Sequence, residues 1–327
     1  MTGNTASKDS GKHSAWQKIS GRSEFGVGLG LIILFVVMCF ASPVFFTMTN
    51  IMNVLTQISR YAIIAVGMAL VIVTTGIDLS VGYAVGLCAT TAAYLTTNVG
   101  MHWLAVLLIV LLEGAAIGVA NGLLVTRMKL PAFIVTLAMG KILYGCTMLL
   151  TSGRPISFES PLGIIGSGYV GPVPMSVIIM FLFIVAGSIF AQKTQTGRNI
   201  YAIGNNARAA ALSGINVKKL TTLVYIIESV SCAFCGIMIA GNLMSADATL
   251  GTGYDTDTIA AVVIGGVSLT GGEGTIWGTF IGAAIMGILK NAFVLLNISS
   301  YWQSIVIGLV IIAALTIDRI RARGRES

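Results

Sequence analysis

Apolar runs long enough to cross a bilayer recur from about residue 27 to 317, and the polar segments between them are too short for a separate soluble domain. The runs predict helices at 27–46, 61–77, 79–97, 102–125, 131–151, 173–191, 220–242, 257–270, 276–296 and 301–317. Roughly 20 residues are needed to cross 30 Å of hydrocarbon, so the eighth run, of about 14, is short enough for a half-crossing. Composition agrees. The chain is 56% hydrophobic and 9% charged, against about 45–50% and 25% in soluble domains. The expected fold is an all-α polytopic membrane protein of about ten transmembrane helices, one domain over 27–317 with tails at 1–26 and 318–327.

The charges orient it. Residues 1–26 carry Lys8, Lys12, Lys18 and Arg22, but the run from Val27 to Phe46 is long enough to span rather than to be a cleaved signal core. With ten passes and a cytoplasmic N-terminus, 15 of the 19 Lys and Arg fall inside: four in the N-tail, Arg127 and Lys129, five between 192 and 219, and four after 317. Arg60 and Arg154 fall outside, and Lys141 and Lys290 within spans. That bias places both termini in the cytoplasm. Merging 61–97 into one pass would put the basic 192–219 loop outside. The net charge of +7 is thus explained by orientation, and not by nucleic acid. Cys39, Cys88, Cys146, Cys232 and Cys235 all lie in apolar runs, where cysteine packs as a small hydrophobe and no metal site is indicated.

Two breaks share one pattern: "GIDLSVG" at 76–82 and "GVSLTGG" at 266–272, both G-[IV]-x-L-[ST]-x-G. Paired interruptions in two halves of a membrane chain point to a transport site, because unwound backbone can line a cavity. A shared tight turn is the plainer alternative. The span count puts both breaks on one side, whereas an inverted repeat would put them on opposite sides. The second break lacks the Lys of a phosphate-binding loop, since Gly271 is followed by Gly272, and neither H-E-x-x-H nor G-x-S-x-G occurs. No catalytic residue is indicated. Gly114, Gly118 and Gly122, and Gly278 with Gly282, have the spacing of close helix packing, read as packing within the subunit.

Charges inside the spans cost a few kcal/mol each unless paired or wetted. Asp78, Glu113, Lys141, Glu228 and Lys290 are therefore functional candidates. Lys141 and Lys290 are expected to neutralise Glu113 and Glu228 between helices. A proton relay would use the same residues, which defines an alternative: an ion-coupled secondary transporter.

"YAIGNNARAAALSGINVKK" at 201–219 is polar and basic in an otherwise apolar chain. Its alanines favour helix over Asn205 to Leu212, and Ser213 with Gly214 offers a stop. Together with "AVGMALVIVTTGIDLSVG" at 65–82, "GRNIYAIGNNARAAALSGINV" at 197–217 and "GTGYDTDTIAAVVIGGVSLTGGEGTIWGTFIGA" at 251–283, the chain resembles the permease subunit of bacterial ATP-binding-cassette sugar importers of the ribose, xylose and galactose type. The matching stretches agree in order and spacing over nearly the whole chain. It departs from the usual pattern at Gly204-Asn205-Asn206, where Gly-Gly-Asn is common, and at Tyr144, where an Arg often stands. Glu113, Lys141, Glu228 and Lys290 take positions that are mostly apolar or amide.

The resemblance implies an inner-membrane subunit that carries a monosaccharide to the cytoplasm by alternating access and performs no chemistry. Its implied partners are a second permease copy, two cytoplasmic ATPase domains holding ATP and Mg, a periplasmic sugar-binding protein and membrane lipid. It also implies that 192–219 is a cytoplasmic coupling loop whose short helix docks into the ATPase, with Gly204, Asn205, Asn206, Ala207, Ala209, Ala210, Ser213, Gly214 and Ile215 as coupling residues. Ala210 is expected to be solvated until that partner binds. A wide polar path suits a neutral sugar, whose hydroxyls exchange hydrogen bonds without a fixed counter-charge. Thr74, Thr75, Gly76, Asp78, Ser80, Asn121 and Asn291 are the expected lining.

Overall fold

The computed structural model describes residues 23–326, so the basic N-terminal residues 1–22 lie outside the description. The chain folds into α1 (Ser23–Ala41), α2 (Met48–Val73), α3 (Val81–Thr97), α4 (Trp103–Thr126), α5 (Ala132–Thr151), α6 (Ile164–Ser167), α7 (Met175–Lys193), α8 (Gln195–Asn205), α9 (Ala207–Leu212), α10 (Val217–Leu243), α11 (Tyr254–Ile264), α12 (Ile276–Leu295) and α13 (Ser300–Glu326). Each run read as a span overlaps a helix. Six of them, α2, α4, α5, α7, α10 and α12, are long and apolar enough to cross a membrane by length and composition. Two short antiparallel ribbons and a 3-10 turn at Pro161–Gly163 are the departures from all-α among the described residues. One ribbon pairs Ile156 with Ala246 and Ser157 with Ser245, and the other joins Tyr169–Val170 to Val173–Pro174.

Several boundaries differ from the sequence reading, each for a local reason. α1 stops at Ala41 because Pro43 follows Ser42 and disfavours helical backbone before it. α2 starts at Met48, well before 61, capped by Thr47, whose Oγ1 accepts from the Asn50 amide at 3.3 Å. Its first half hides from a hydropathy reading because its polar groups are satisfied inside the protein. Asn50 and Asn291 exchange amide hydrogen bonds of 3.2 and 2.9 Å, and Arg60 Nη2 donates to Asn242 Oδ1 at 2.5 Å. Arg60 is thus a helical residue, and not part of an outside loop. α11 is only 11 residues long, about 16 Å of helix, which fits a half-crossing. α13 runs through the expected tail to Glu326.

α2 and α10 are the most buried of the long helices, and α10 packs on α4, α3 and α2. Gly114, Gly118 and Gly122 of α4 lie against Ser229, Tyr225 to Ile226 and Thr222 of α10, so close that a Cβ at any of them would strike backbone or side chain. Gly278 and Gly282 of α12 meet Gly265 and Ala261 in the same way. The small-residue repeats therefore serve packing inside the subunit, as read. Outward, Phe40, Leu112, Leu149 and Leu182 are exposed, the pattern of a surface whose solvent is hydrocarbon.

Candidate functional site: a junction of two helix breaks and the loop after α7

α2 ends at Val73 because its chain turns on itself. The Thr74 hydroxyl donates to Val71 O at 2.9 Å, Thr75 takes a positive φ of 63°, and the Gly76 amide returns to Val71 O at 3.0 Å. The following residues are held by side chains. Asp78 Oδ1 accepts from the Ser80 amide at 2.7 Å and its hydroxyl at 2.6 Å. Asn121 Nδ2, from α4, donates to Asp78 Oδ2 at 3.2 Å and Ser80 Oγ at 2.9 Å. Thr136 Oγ1, from α5, accepts from the Leu79 amide at 3.0 Å. The Glu228 carboxyl of α10 lies close to Asp78, and the Tyr225 hydroxyl of the same helix faces Gly76. Such a network replaces the helical bonds the break has lost.

The second break follows α11, with Gly266, Gly271, Gly272 and Gly274 all at positive φ. It touches the first: the Gly272 amide donates to Val73 O at 2.9 Å. The two breaks are therefore in direct contact.

The loop after α7 closes the junction. Thr194 caps α8 by accepting from the Gly197 amide at 2.9 Å, and the Tyr201 hydroxyl donates to Gly274 O at 2.9 Å. Burial pushes the Tyr201 hydroxyl up from its ordinary pKa. Gly204 lies directly against Val73 O and the Gly272 backbone, where any side chain would overlap both, and Asn205 packs on Gly272. Gly204 and Asn205 thus touch both breaks at once.

The helix read over 205–212 begins at Ala207. Asn205 ends α8, and Asn206 caps α9, its Oδ1 accepting from the Arg208 and Ala209 amides at 3.0 Å each. The far end is a Schellman motif. The Gly214 amide donates to Ala211 O at 3.0 Å, the Ile215 amide donates to Ala210 O at 3.1 Å, and Gly214 holds φ 85°. One expectation is corrected: Ala210 is only 5% exposed, because its side chain points back to the protein beneath Ile215's turn. The exposed residues of α9 are instead Ala207, Arg208, Ala209, Ala211 and Leu212, the last 91% exposed.

The intramembrane charges pair differently from the sequence reading. Lys290 forms an ion pair with Asp257 of α11, not with Glu113 or Glu228. Among the described residues Lys141 makes no ion pair and lies 5.9 Å from the Tyr83 ring centroid. Glu113 accepts from Thr91 at 3.0 Å, and its other oxygen is buried without a partner. Glu228 accepts from Cys232 at 3.1 Å and Ser229 at 3.4 Å. The partners of Lys290 and Glu113 come from other helices, which spacing along one helix could not reveal, whereas Glu228 bonds within α10 itself. Asp257 in particular stands at the edge of the short eighth run and gave no signal.

Of the expected lining, Asp78, Ser80 and Asn121 come together and are fully or almost fully buried, Thr74 and Gly76 sit beside them, and Thr75 is exposed. Asn291 is set apart, spent on Asn50. Tyr201, Tyr225 and Leu212 were missed. An aromatic in a polar loop and a leucine among alanines were the available signals.

Comparison with known proteins gives a consistent picture. The family described as "Branched-chain amino acid transport system / permease component" matches residues 50–315. The ribose import permease protein RbsC of Escherichia coli (strain K12) is 42% identical over 315 residues, covering 92% of this chain and 98% of its own. RbsC of Bacillus subtilis (strain 168) is 39% identical over 299 residues, with 90% and 92% covered. The galactose/methyl galactoside import permease protein MglC of Salmonella typhimurium (strain LT2) is 36% identical over 317 residues, with 91% and 94% covered. No solved structure matches the chain.

Proposed function

Since the chain belongs to the permease-component family of branched-chain amino acid transport type and shares most of its length with ribose and galactose import permeases, we propose that it is the membrane-spanning subunit of an ATP-driven monosaccharide importer of the bacterial inner membrane. In this reading it is not an enzyme. ATP and Mg bind a separate cytoplasmic ATPase, a periplasmic binding protein delivers the sugar, and two permease copies enclose the path. The ten helices cross with both termini inside.

The observation that carries the proposal is the three-way contact of Gly204 and Asn205 with Val73 and Gly272. The exposed face of α9 enters the ATPase, and closure of the ATPase dimer displaces α9. α8 is joined to α9 by the single residue Asn206 and anchored to the second break by the Tyr201 to Gly274 bond. A displacement of α8 therefore reaches both breaks together, and with them the ends of α2, α11 and α12. Alternating access follows as a change in how these ends pack.

Proteoliposomes test it. Ribose uptake should require the ATPase, ATP and the binding protein together. The ion-coupled alternative draws support from the buried carboxyls of Asp78 and Glu228, and it requires uptake driven by a proton or sodium gradient with the permease alone. A passive channel would equilibrate ribose with neither. Uptake by permease and gradient alone would overturn the importer reading.

A further inference from the structure

The uncovered face of α5 holds a lysine where a lipid-facing helix has no place for one. Lys141 is the tenth of the 20 residues of α5, about 15 Å from either end at 1.5 Å per residue. A four-carbon stem cannot carry its ammonium that far to the interface. The residue is exposed and unpaired by any acid among the described residues. The main packing partners of α5 are α3 and α4, and among the described residues Leu137, Ala138 and Lys141 are exposed. An ammonium left in hydrocarbon at mid-depth is strongly disfavoured, so such residues face a bundle interior or a watered cavity.

The surroundings of Lys141 are those of a solute contact. Its Nζ stands 5.9 Å from the Tyr83 ring centroid, and Tyr83 meets Tyr144 edge to face at 6.0 Å. Gly140 makes room for the Tyr83 ring, since a Cβ there would come within 2.7 Å of Tyr83 Cδ2. Tyr83 follows the first break by three residues from Ser80, and Thr136 ties α5 to that break. The three side chains therefore sit next to the junction described above, one or two helical turns further into the bilayer.

We propose that Lys141, Tyr83 and Tyr144 line the solute path at mid-depth, on a face of α5 shielded from lipid by the second permease copy. This rests on the paired-permease reading. The ammonium has three donors and no acceptor, so it meets acceptor oxygens of the solute, hydroxyl or carboxylate, and repels amines. The tyrosine faces and hydroxyls supply the apolar and polar contacts a sugar ring offers.

The test begins with accessibility, which needs no sugar. In a complex with the ATPase, reconstituted after replacing Cys39 and Cys146 by alanine, Lys141→Cys should react with a cationic, water-soluble methanethiosulfonate. Leu182→Cys, on the exposed apolar side of α7, should react only with a lipid-partitioning maleimide. Trapping the ATPase with ATP and vanadate should change the Lys141→Cys rate about tenfold while leaving Leu182→Cys unchanged. Lys141→Cys behaving like Leu182→Cys would overturn the proposal. The second arm is ribose uptake at matched expression and matched ATPase binding. Lys141→Met should raise KM or lower the maximal rate about tenfold, and Lys141→Arg should retain most of both. Wild-type uptake by Lys141→Met would overturn the donor role even if the position is wet. If ribose is not carried at all, the labelling still decides whether α5 faces water.

Discussion

Ala210 and Gly214 stand four residues apart and fail differently when changed. Ala210 is 5% exposed, so Ala210→Glu forces a carboxylate into a buried site, a loss of several kcal/mol unless it is paired. We expect little folded protein in the membrane, whereas Ala211→Glu, on the free face, should insert at wild-type level and lose ATPase binding. Quantitative membrane blotting with ATPase pull-down separates the two. Equal folded yields would show that Ala210 is not packed as described. Gly214 has open space around its missing Cβ but φ 85°, so Gly214→Val pays only conformational strain, about 1–3 kcal/mol. It should fold, misdirect α9 and lose ATPase-coupled uptake, with Gly214→Asn much milder. At Glu228, Gln keeps an acceptor oxygen for Cys232, and its amide nitrogen can donate to the Ser229 hydroxyl in place of accepting from it. Glu228→Gln should therefore keep both folded yield and ATP-driven uptake. Abolished uptake with normal folding would favour the ion-coupled alternative.

Among the elements, α9 was the most legible from sequence and also the most instructively misread. Its alanines and Gly214 gave a helix and its end, because propensity and a left-handed cap are local properties. Which face it presents was not local. That depends on Ile215 folding back and on α8 lying under it, contacts set by Tyr201 reaching Gly274. The two breaks were visible as a repeated G-[IV]-x-L-[ST]-x-G pattern, yet their contact through Gly272 and Val73 joins residues about 200 apart in sequence and no pattern announces it. The intramembrane charges show the same limit. Their cost was readable residue by residue, but the pairing of Lys290 with Asp257 depends on how α11 leans on α12. The element-scale prediction concerns the docking face. Leu212 is 91% exposed, an apolar side chain with no role inside this chain. Leu212→Asp should leave folding unchanged and reduce ATPase association and ribose uptake at least tenfold. Undiminished association would move the docking surface off α9.

On the scale of the whole molecule, the junction has meaning only if it faces the ATPase, so sidedness decides the reading. In the proposed topology the positive-inside bias puts the loop 192–219 in the cytoplasm. An even number of crossings then separates it from the N-terminus, and an odd number from the loops that follow α5 and α10. Those two loops are joined by the ribbon pairing Ile156 with Ala246, so they must share a side whatever the count. Single cysteines at exposed positions test this in a background lacking Cys39 and Cys146. Glu159→Cys and Thr249→Cys, on the two ribbon-linked loops, should react with an impermeant maleimide added to intact spheroplasts. Gln195→Cys, at the start of α8, should react only after lysis. Merging α2 and α3 into a single pass would invert every position after the break, exposing Gln195→Cys and shielding Glu159→Cys and Thr249→Cys. The turn at Thr74 to Gly76, and the contact of that turn with Gly204, argue against the merger, because a continuous helix there would lose the Val71 acceptor bonds that reverse the chain. Labelling of Gln195→Cys from outside would therefore overturn the ten-pass topology and, with it, the placement of α9 against a cytoplasmic ATPase.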